Sequence, residues 1–199
     1  MLSNKNERKA YYERKTNETE IKLSLNLDGQ GMVKADTGIG FFNHMLDLLG
    51  RHAGFDLDFE VRGDLEVDAH HTIEDVGISL GRAIKEALGE KRGINRYGHI
   101  LLPMDEALVL VALDLSGRGF LGLEADFQST KVGQMDTELV EEFLSSLAIN
   151  GEITLHVRVL AGKNTHHIIE AIFKGLARSL KMAVARGTGE EVPSTKGVL

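Results

Sequence analysis

The sequence contains no cysteine, which removes disulfides, thiolate metal ligands and cysteine nucleophiles from consideration. A chain without disulfides suits the reducing cytoplasm. It also lacks any apolar run near the roughly 20 residues that a membrane helix requires, so no membrane partner is expected. Residues 1–13 are polar and charged with no apolar stretch behind them, unlike a secretory signal. Residues 1–10 read as a disordered tail. Basic residues are the minority, 23 Lys and Arg against 30 Asp and Glu, for a formal charge of −7. That balance excludes a general nucleic-acid surface, which needs a dominant basic face. A small phosphate can still be held where a few Arg and Lys converge. With 42% hydrophobic residues among 199, the chain can bury a core without staples.

What is present is a duplication. His70-His71-Thr72-Ile73-Glu74 returns as His166-His167-Ile168-Ile169-Glu170, 96 residues later. Glu18, Ile21, Leu23, Leu25, Leu27 and Gly29 match Glu106, Val109, Val111, Leu113, Leu115 and Gly117 at an offset of 88, and His44 falls opposite Glu142 at 98. The drift places an insertion within residues 117–134. The unit is half the chain, too long for a solenoid repeat. It predicts two homologous half-domains, 1–95 and 96–199, that form one functional unit.

The periodicities agree between halves. Ile21, Leu23, Leu25 and Leu27 alternate with polar residues, as in a half-buried strand that ends at Asp28-Gly29. Phe41, Met45, Leu48 and Leu49 have helical spacing, with Thr37 or Asn43 as the start. Leu57, Phe59 and Val61 alternate again, and Ile73 to Leu88 forms a long amphipathic helix closed by Gly89. Strand 109–115, helix 139–147, strand 153–159 and helix 168–184 repeat the scheme. Each half reads β-β-α-β-α, an α+β class with helices packed on one face of each sheet.

Each histidine pair stands at the start of a long helix. There His70 and Glu74, like His166 and Glu170, share a face at i, i+4. The adjacent His71 and His167 diverge by about 100° around the axis. Two imidazoles so placed serve two different ions, or one binds metal and the other substrate. His44 and Glu142, in matching places on the preceding helices, can complete two shells. The candidate ligands are therefore His44, His70, His71, Glu74, Glu142, His166, His167 and Glu170. Imidazole and carboxylate without sulfur suit Mn, Fe or Zn, and room for water and substrate favours Mn(II) or Fe(II). A lone His-His pair is usually solvent-exposed or locally hydrogen-bonded. Packing, however, does not require imidazole twice and carboxylate at the same offset in both copies. His52, His99 and His156 lack a partner motif and read as ordinary surface or contact residues.

Several blocks then carry a resemblance: Arg14-Lys15-Thr16-Asn17-Glu18-Thr19, Thr37-Gly38-Ile39-Gly40-Phe41-Phe42-Asn43-His44, His70-His71-Thr72-Ile73-Glu74-Asp75, Pro103-Met104-Asp105-Glu106-Ala107, Ala161-Gly162-Lys163-Asn164-Thr165-His166-His167 and Ser194-Thr195-Lys196-Gly197. From residue 14 to residue 199 the sequence resembles the imidazoleglycerol-phosphate dehydratase family. The resemblance implies a duplicated fold of the ribosomal protein S5 domain 2-like kind. It also implies a homo-oligomer of about 24 subunits, built from trimers with sites at subunit interfaces. The implied reaction is dehydration of imidazole glycerol phosphate to imidazole acetol phosphate in histidine biosynthesis, through an imidazolate held by two Mn(2+) per active site. Glu18, His44, His71 and Glu170 are the implied catalytic residues, with Glu18 as the base and Glu106 its weaker repeat partner. Arg96, Arg118, Ser194 and Lys196 are the implied phosphate ligands.

Two departures stand out. Position 142, commonly His in the family, is Glu here, an acceptable ligand for Mn(II) that adds negative charge. Ser116-Gly117-Arg118-Gly119 carries Gly where Pro is usual, which predicts a looser loop around Arg118. Two rival functions fit parts of the pattern. A dinuclear metallohydrolase of a small phosphate ester would use the same ligand types, but would favour bridging Asp. A metal-stapled assembly or storage protein would give no reason for the Arg and Lys set.

Overall fold

The computed structural model describes residues 8–187 and 189–199. Residues 1–7 of the expected tail lie outside them. Lys9 and Ala10, also assigned to the tail, open a strand instead. Strand β1 (Lys9–Lys15) pairs antiparallel with β2 (Thr19–Asn26) along its whole length. Strand β3 (Val33–Asp36), helix α1 (Gly40–Ala53), strand β4 (Asp56–Gly63) and helix α2 (His70–Leu88) complete the first half. The second half runs β5 (Tyr97–Met104), β6 (Ala107–Asp114), β7 (Phe120–Glu124), a short hairpin β8 (Lys131–Val132) and β9 (Met135–Asp136), α3 (Leu139–Gly151), β10 (Thr154–Ala161) and α4 (Thr165–Val184).

The strand orders are β1-β2-β4-β3 and β5-β6-β10-β7. Both halves thus carry the β-β-α-β-α frame, plus one short strand (β3 or β7) lying parallel to the last long strand of its sheet. Four residues are too few to show an alternation, so sequence periodicity misses β3. The insertion appears as the β8–β9 hairpin.

Alternation sets each sheet's inner face. Ile21, Leu23, Leu25, Leu57 and Phe59 line one, and Val109, Val111, Leu113, Leu155 and Val157 the other, all buried. The four helices fill the space between, with α2 against β1 and β2 and α4 against β5 and β6. The helix layers meet across the halves, α2 on α3 and α1 on α4. Glycine permits the first of these contacts. A Cβ on Gly77 would stand 2.8 Å from the Phe143 carbonyl oxygen, and one on Gly81 2.6 Å from that of Leu147. Both pairings advance in the same direction, so α2 and α3 run parallel with their N-termini together.

Neither residue expected to start α1 caps it. Ile39 occupies the N-cap with no side-chain bond, because Asn43 turns back. Its Oδ1 accepts from the Thr37 N–H at 2.9 Å and the Thr37 hydroxyl at 2.6 Å. The two candidate starts are bonded to each other, and the loop ahead of the helix is closed. Gly89 ends α2 at φ 52°.

Candidate metal centres

Both histidine pairs begin a helix that a short polar side chain prepares. Asp68 Oδ1 accepts from the His70 N–H at 2.7 Å. Its repeat partner Asn164 accepts from the His166 and His167 N–H groups at 3.0 and 3.3 Å. These bonds satisfy N–H groups that a helix start leaves unpaired and fix the first turn from which the imidazoles project. In both copies the neighbouring rings are nearly perpendicular, at 85° and 87°, with centroids 6.1 Å apart. Their divergence puts them in separate environments.

The first member of each pair joins a cluster built across the two halves. His166 and Glu170 on α4 meet His44 on α1, and His70 and Glu74 on α2 meet Glu142 on α3, with ligand atoms within 4.8 Å of one another in each group. The third ligand comes from the opposite half because α1 packs on α4 and α2 on α3. In the first cluster Glu170 Oε2 lies 3.1 Å from His166 Nε2 and 3.7 Å from His44 Nε2. Phe41 packs its ring against His166, centroids 5.1 Å apart. Burial opposes ionisation of Glu170, yet Lys174, His166 and His44 hold its carboxyl below the ordinary glutamate pKa. Nitrogen and oxygen donors at this spacing, without sulfur, fit Mn(II), Fe(II) or Zn(II).

The second member of each pair is oriented by a carboxylate. His71 Nδ1 lies 3.0 Å from Asp64 Oδ2, and His167 Nδ1 lies 2.8 Å from Glu106 Oε2. These bonds raise the pKa of both imidazoles above the ordinary histidine value. Through the His167 bond and backbone N–H groups, Glu106 falls to about 2. A carboxylate on Nδ1 fixes the ring and leaves Nε2 as the outward atom. Glu18 Oε1 stands 3.9 Å from that atom of His71, and Asp105 Oδ2 3.8 Å from that of His167. The repeat partners Glu18 and Glu106 therefore do different work: Glu106 braces a ring at Nδ1, while Asp64 does so in the first half.

The four phosphate candidates gather at the far end of the second sheet. Arg96 forks onto Asp114 at 2.7 and 3.1 Å and donates to the Pro193 carbonyl at 2.9 Å. The Ser194 hydroxyl accepts from the Lys196 N–H at 3.2 Å, closing a turn in the C-terminal segment. Arg118 is exposed, but its loop is tied rather than loose. Ser116 Oγ meets Thr154 Oγ1 at 3.0 Å and accepts from the Arg118 N–H at 3.2 Å. Gly117 adopts φ 77°, and a Cβ there would come within 2.7 Å of the Leu199 carbonyl carbon. The glycines serve a left-handed turn and a close backbone approach. Arg96 precedes β5 and Glu106 follows its end, so the eight strand residues between them separate the phosphate candidates from His167 by roughly 25 Å.

Similarity to known proteins points to one family. The sequence profile of the imidazoleglycerol-phosphate dehydratase (IGPD) family matches residues 37–180, a span that includes both clusters. The chain belongs to that family. It is 56% identical over 193 residues to the imidazoleglycerol-phosphate dehydratase of Pelotomaculum thermopropionicum, covering 97% of this chain and 99% of that one. It superposes on the imidazoleglycerol-phosphate dehydratase of Staphylococcus aureus with a TM-score of 0.81 and 41% identity, over 89% of this chain and 99% of that one. Against the IGPD of Pyrococcus furiosus the TM-score is 0.83 at 36% identity, over 94% and 100%. Nothing in these likenesses favours a metallohydrolase.

Sequence reasoning missed two charged side chains beside the dehydratase-family motifs. Asp64, which braces His71, lies on no periodic face and carries no signal. Lys174, ion-paired with Glu170 Oε1, was legible as the i+4 neighbour of that glutamate. His52 is half-buried, and burial together with Lys174 and Arg178 lowers its pKa. His99 and His156 are exposed on the outer face of the second sheet, with His156 against Phe120.

Proposed function

We propose that this enzyme dehydrates D-erythro-imidazole glycerol phosphate to imidazole acetol phosphate and water, in the histidine biosynthesis of the cytoplasm. The observation that carries the reading is the pair of matched His and Glu clusters, one at each interface between the half-domains 1–95 and 96–199. A ring with two nitrogens is suited to being held between two similar cations. When bound there, two Mn(II) ions supply the Lewis acidity that stabilises negative charge on the substrate imidazole.

The chain's own residues do the rest. His44, His166 and Glu170 hold one ion, and His70, Glu74 and Glu142 the other. His71 and His167, fixed at Nδ1 and turned away from these clusters, offer Nε2 to an ion or substrate held with a neighbouring copy. Glu18, exposed beside His71, is the base that takes the proton from the carbon next to the departing hydroxyl. That C–H bond breaks to a proton, the adjacent C–O bond breaks, and hydroxide leaves as water after protonation. The enol product becomes the ketone.

Arg96, Arg118, Ser194 and Lys196 receive the phosphate. At roughly 25 Å from His167 in the same chain, they are too far away to share one small substrate with it. A second copy must therefore supply one end of the site, in a homo-oligomer of about 24 subunits. The outer face of the second sheet supports such assembly, since Tyr97, Leu101, Phe120 and Leu160 are each more than half exposed.

The direct test incubates metal-stripped protein with imidazole glycerol phosphate, with and without Mn(II), and measures the ketone. Metal-dependent product that disappears in the Glu74→Gln, Glu170→Gln double variant is the expected result. Mn(II) bound with no ketone formed would overturn the dehydratase reading.

A further inference from the structure

The two clusters occupy matching places in the duplication, yet their charges differ. The α2–α3 cluster has one imidazole and two carboxylates, His70, Glu74 and Glu142, while the α1–α4 cluster has two imidazoles and one carboxylate, His44, His166 and Glu170. The single carboxylate of the second group is further offset. Lys174, one turn along α4 and with its side chain only 18% exposed, ion-pairs with Glu170 Oε1. The residue four places after Glu74, its counterpart in the repeat, is the apolar Ile78. Among the described residues, the hydrogen bond that Glu142 receives comes from a neutral donor, Ser146 Oγ at 3.5 Å. The formal charge facing a cation is therefore −2 at one position. At the other it is −1 with an ammonium at its back.

We propose that the two metal positions are unequal: the α2–α3 position fills first and tightly, the α1–α4 position second and weakly, and Lys174 sets much of the difference. The inference rests on the reading of both clusters as metal centres. A hard dication such as Mn(II) gains more from a carboxylate than from an imidazole. One extra carboxylate charge at contact distance in a partly exposed site is worth at least about tenfold in affinity. Lys174 acts here as a positioning residue. It holds Oε1 of Glu170 and leaves Oε2 facing His44 and His166, so the orientation of the ligand is bought at the expense of cation affinity.

The test titrates the full chain, stripped of metal by a chelator, with Mn(II) and follows the unbound ion by its paramagnetic resonance signal. Two classes are expected, one ion per chain in each, with Kd values at least about tenfold apart. Glu142→Gln should weaken the tight class alone. Lys174→Met, which keeps the stem and removes the charge, should strengthen the weak class by several-fold and leave the tight class in place. Lys174→Gln should do the same if the Met variant folds poorly. A single class of two equal positions would overturn the proposal, as would a weak class unmoved in both Lys174 variants. Binding that survives unchanged in the Glu74→Gln, Glu170→Gln double variant would instead remove the metal-centre reading beneath it.

Discussion

At the residue scale, Asp75 anchors the ground beneath the first histidine pair. It is buried on α2, accepts from Arg14 Nε at 2.7 Å and bonds the Thr19 hydroxyl, so it ties β1 and β2 to the helix that carries His71 and Glu74. Asp75→Ala leaves the Arg14 guanidinium without its carboxylate and a cavity beside it. Because Arg14 is 32% exposed, water recovers part of the loss. The expected destabilisation is about 2–3 kcal/mol in denaturant unfolding. Asp28 gives a pH-dependent counterpart. The Arg8 guanidinium, donating to Asp28, holds that carboxyl below its ordinary value of 3.8. A stronger acid in the folded state stabilises the fold above the unfolded pKa, and this stabilisation is lost as pH falls through the folded value. Asp28→Asn should therefore melt below the wild type at pH 7, and the gap in Tm should shrink below about pH 4.

At the element scale, the site depends on how closely helices from different halves approach. Gly77 and Gly81 let α2 lie against the carbonyls of Phe143 and Leu147, which brings Glu142 to His70 and Glu74. Gly77→Ala inserts a methyl where the backbone of α3 must yield. The expected cost is about 1–3 kcal/mol in stability. The same change should weaken the tighter Mn(II) class while sparing the α1–α4 position, where no part of the contact is altered. Calorimetric titration beside thermal unfolding checks both. Equal loss in the two classes would show that the helix contact does not position the cluster. Helix periodicity locates α2 and α3 in the sequence, but Gly77 and Gly81 read there only as weak points. Their use is visible once a partner backbone lies against them.

At the scale of the whole molecule, the His and Glu clusters and the phosphate candidates stand at opposite ends of the second sheet. Complementation between defective chains follows from that separation. A chain with Arg118→Ala keeps its candidate metal ligands, and one with Glu74→Gln and Glu170→Gln keeps its arginine. Co-expressed in equal amounts and mixing at random, they restore both parts to about a quarter of the sites. Ketone formation should recover to about that fraction of the wild type, although each variant alone is inactive. No recovery in mixed oligomers would place both parts on one chain. The outer face of the second sheet carries large apolar side chains that suit such contacts, Tyr97, Leu101 and Phe120, beside the Arg158–Glu124 ion pair.

Much of this protein was determined by local pattern. Alternation and helical spacing follow from one strand or one helix burying one face, so the β-β-α-β-α frame and its repeat are legible without coordinates. The spacing of His70 with Glu74, and of His166 with Glu170, likewise depends only on the pitch of a helix. Tertiary structure decided what depends on contacts distant in sequence. His44 joins the second half's pair and Glu142 the first half's, because helix packing crosses the duplication. Asp64 and Glu106 brace their histidines from loops that no period describes. The remoteness of Arg96 and Arg118 from the candidate metal ligands arises from the length and direction of β5, which only the folded sheet lays out in space.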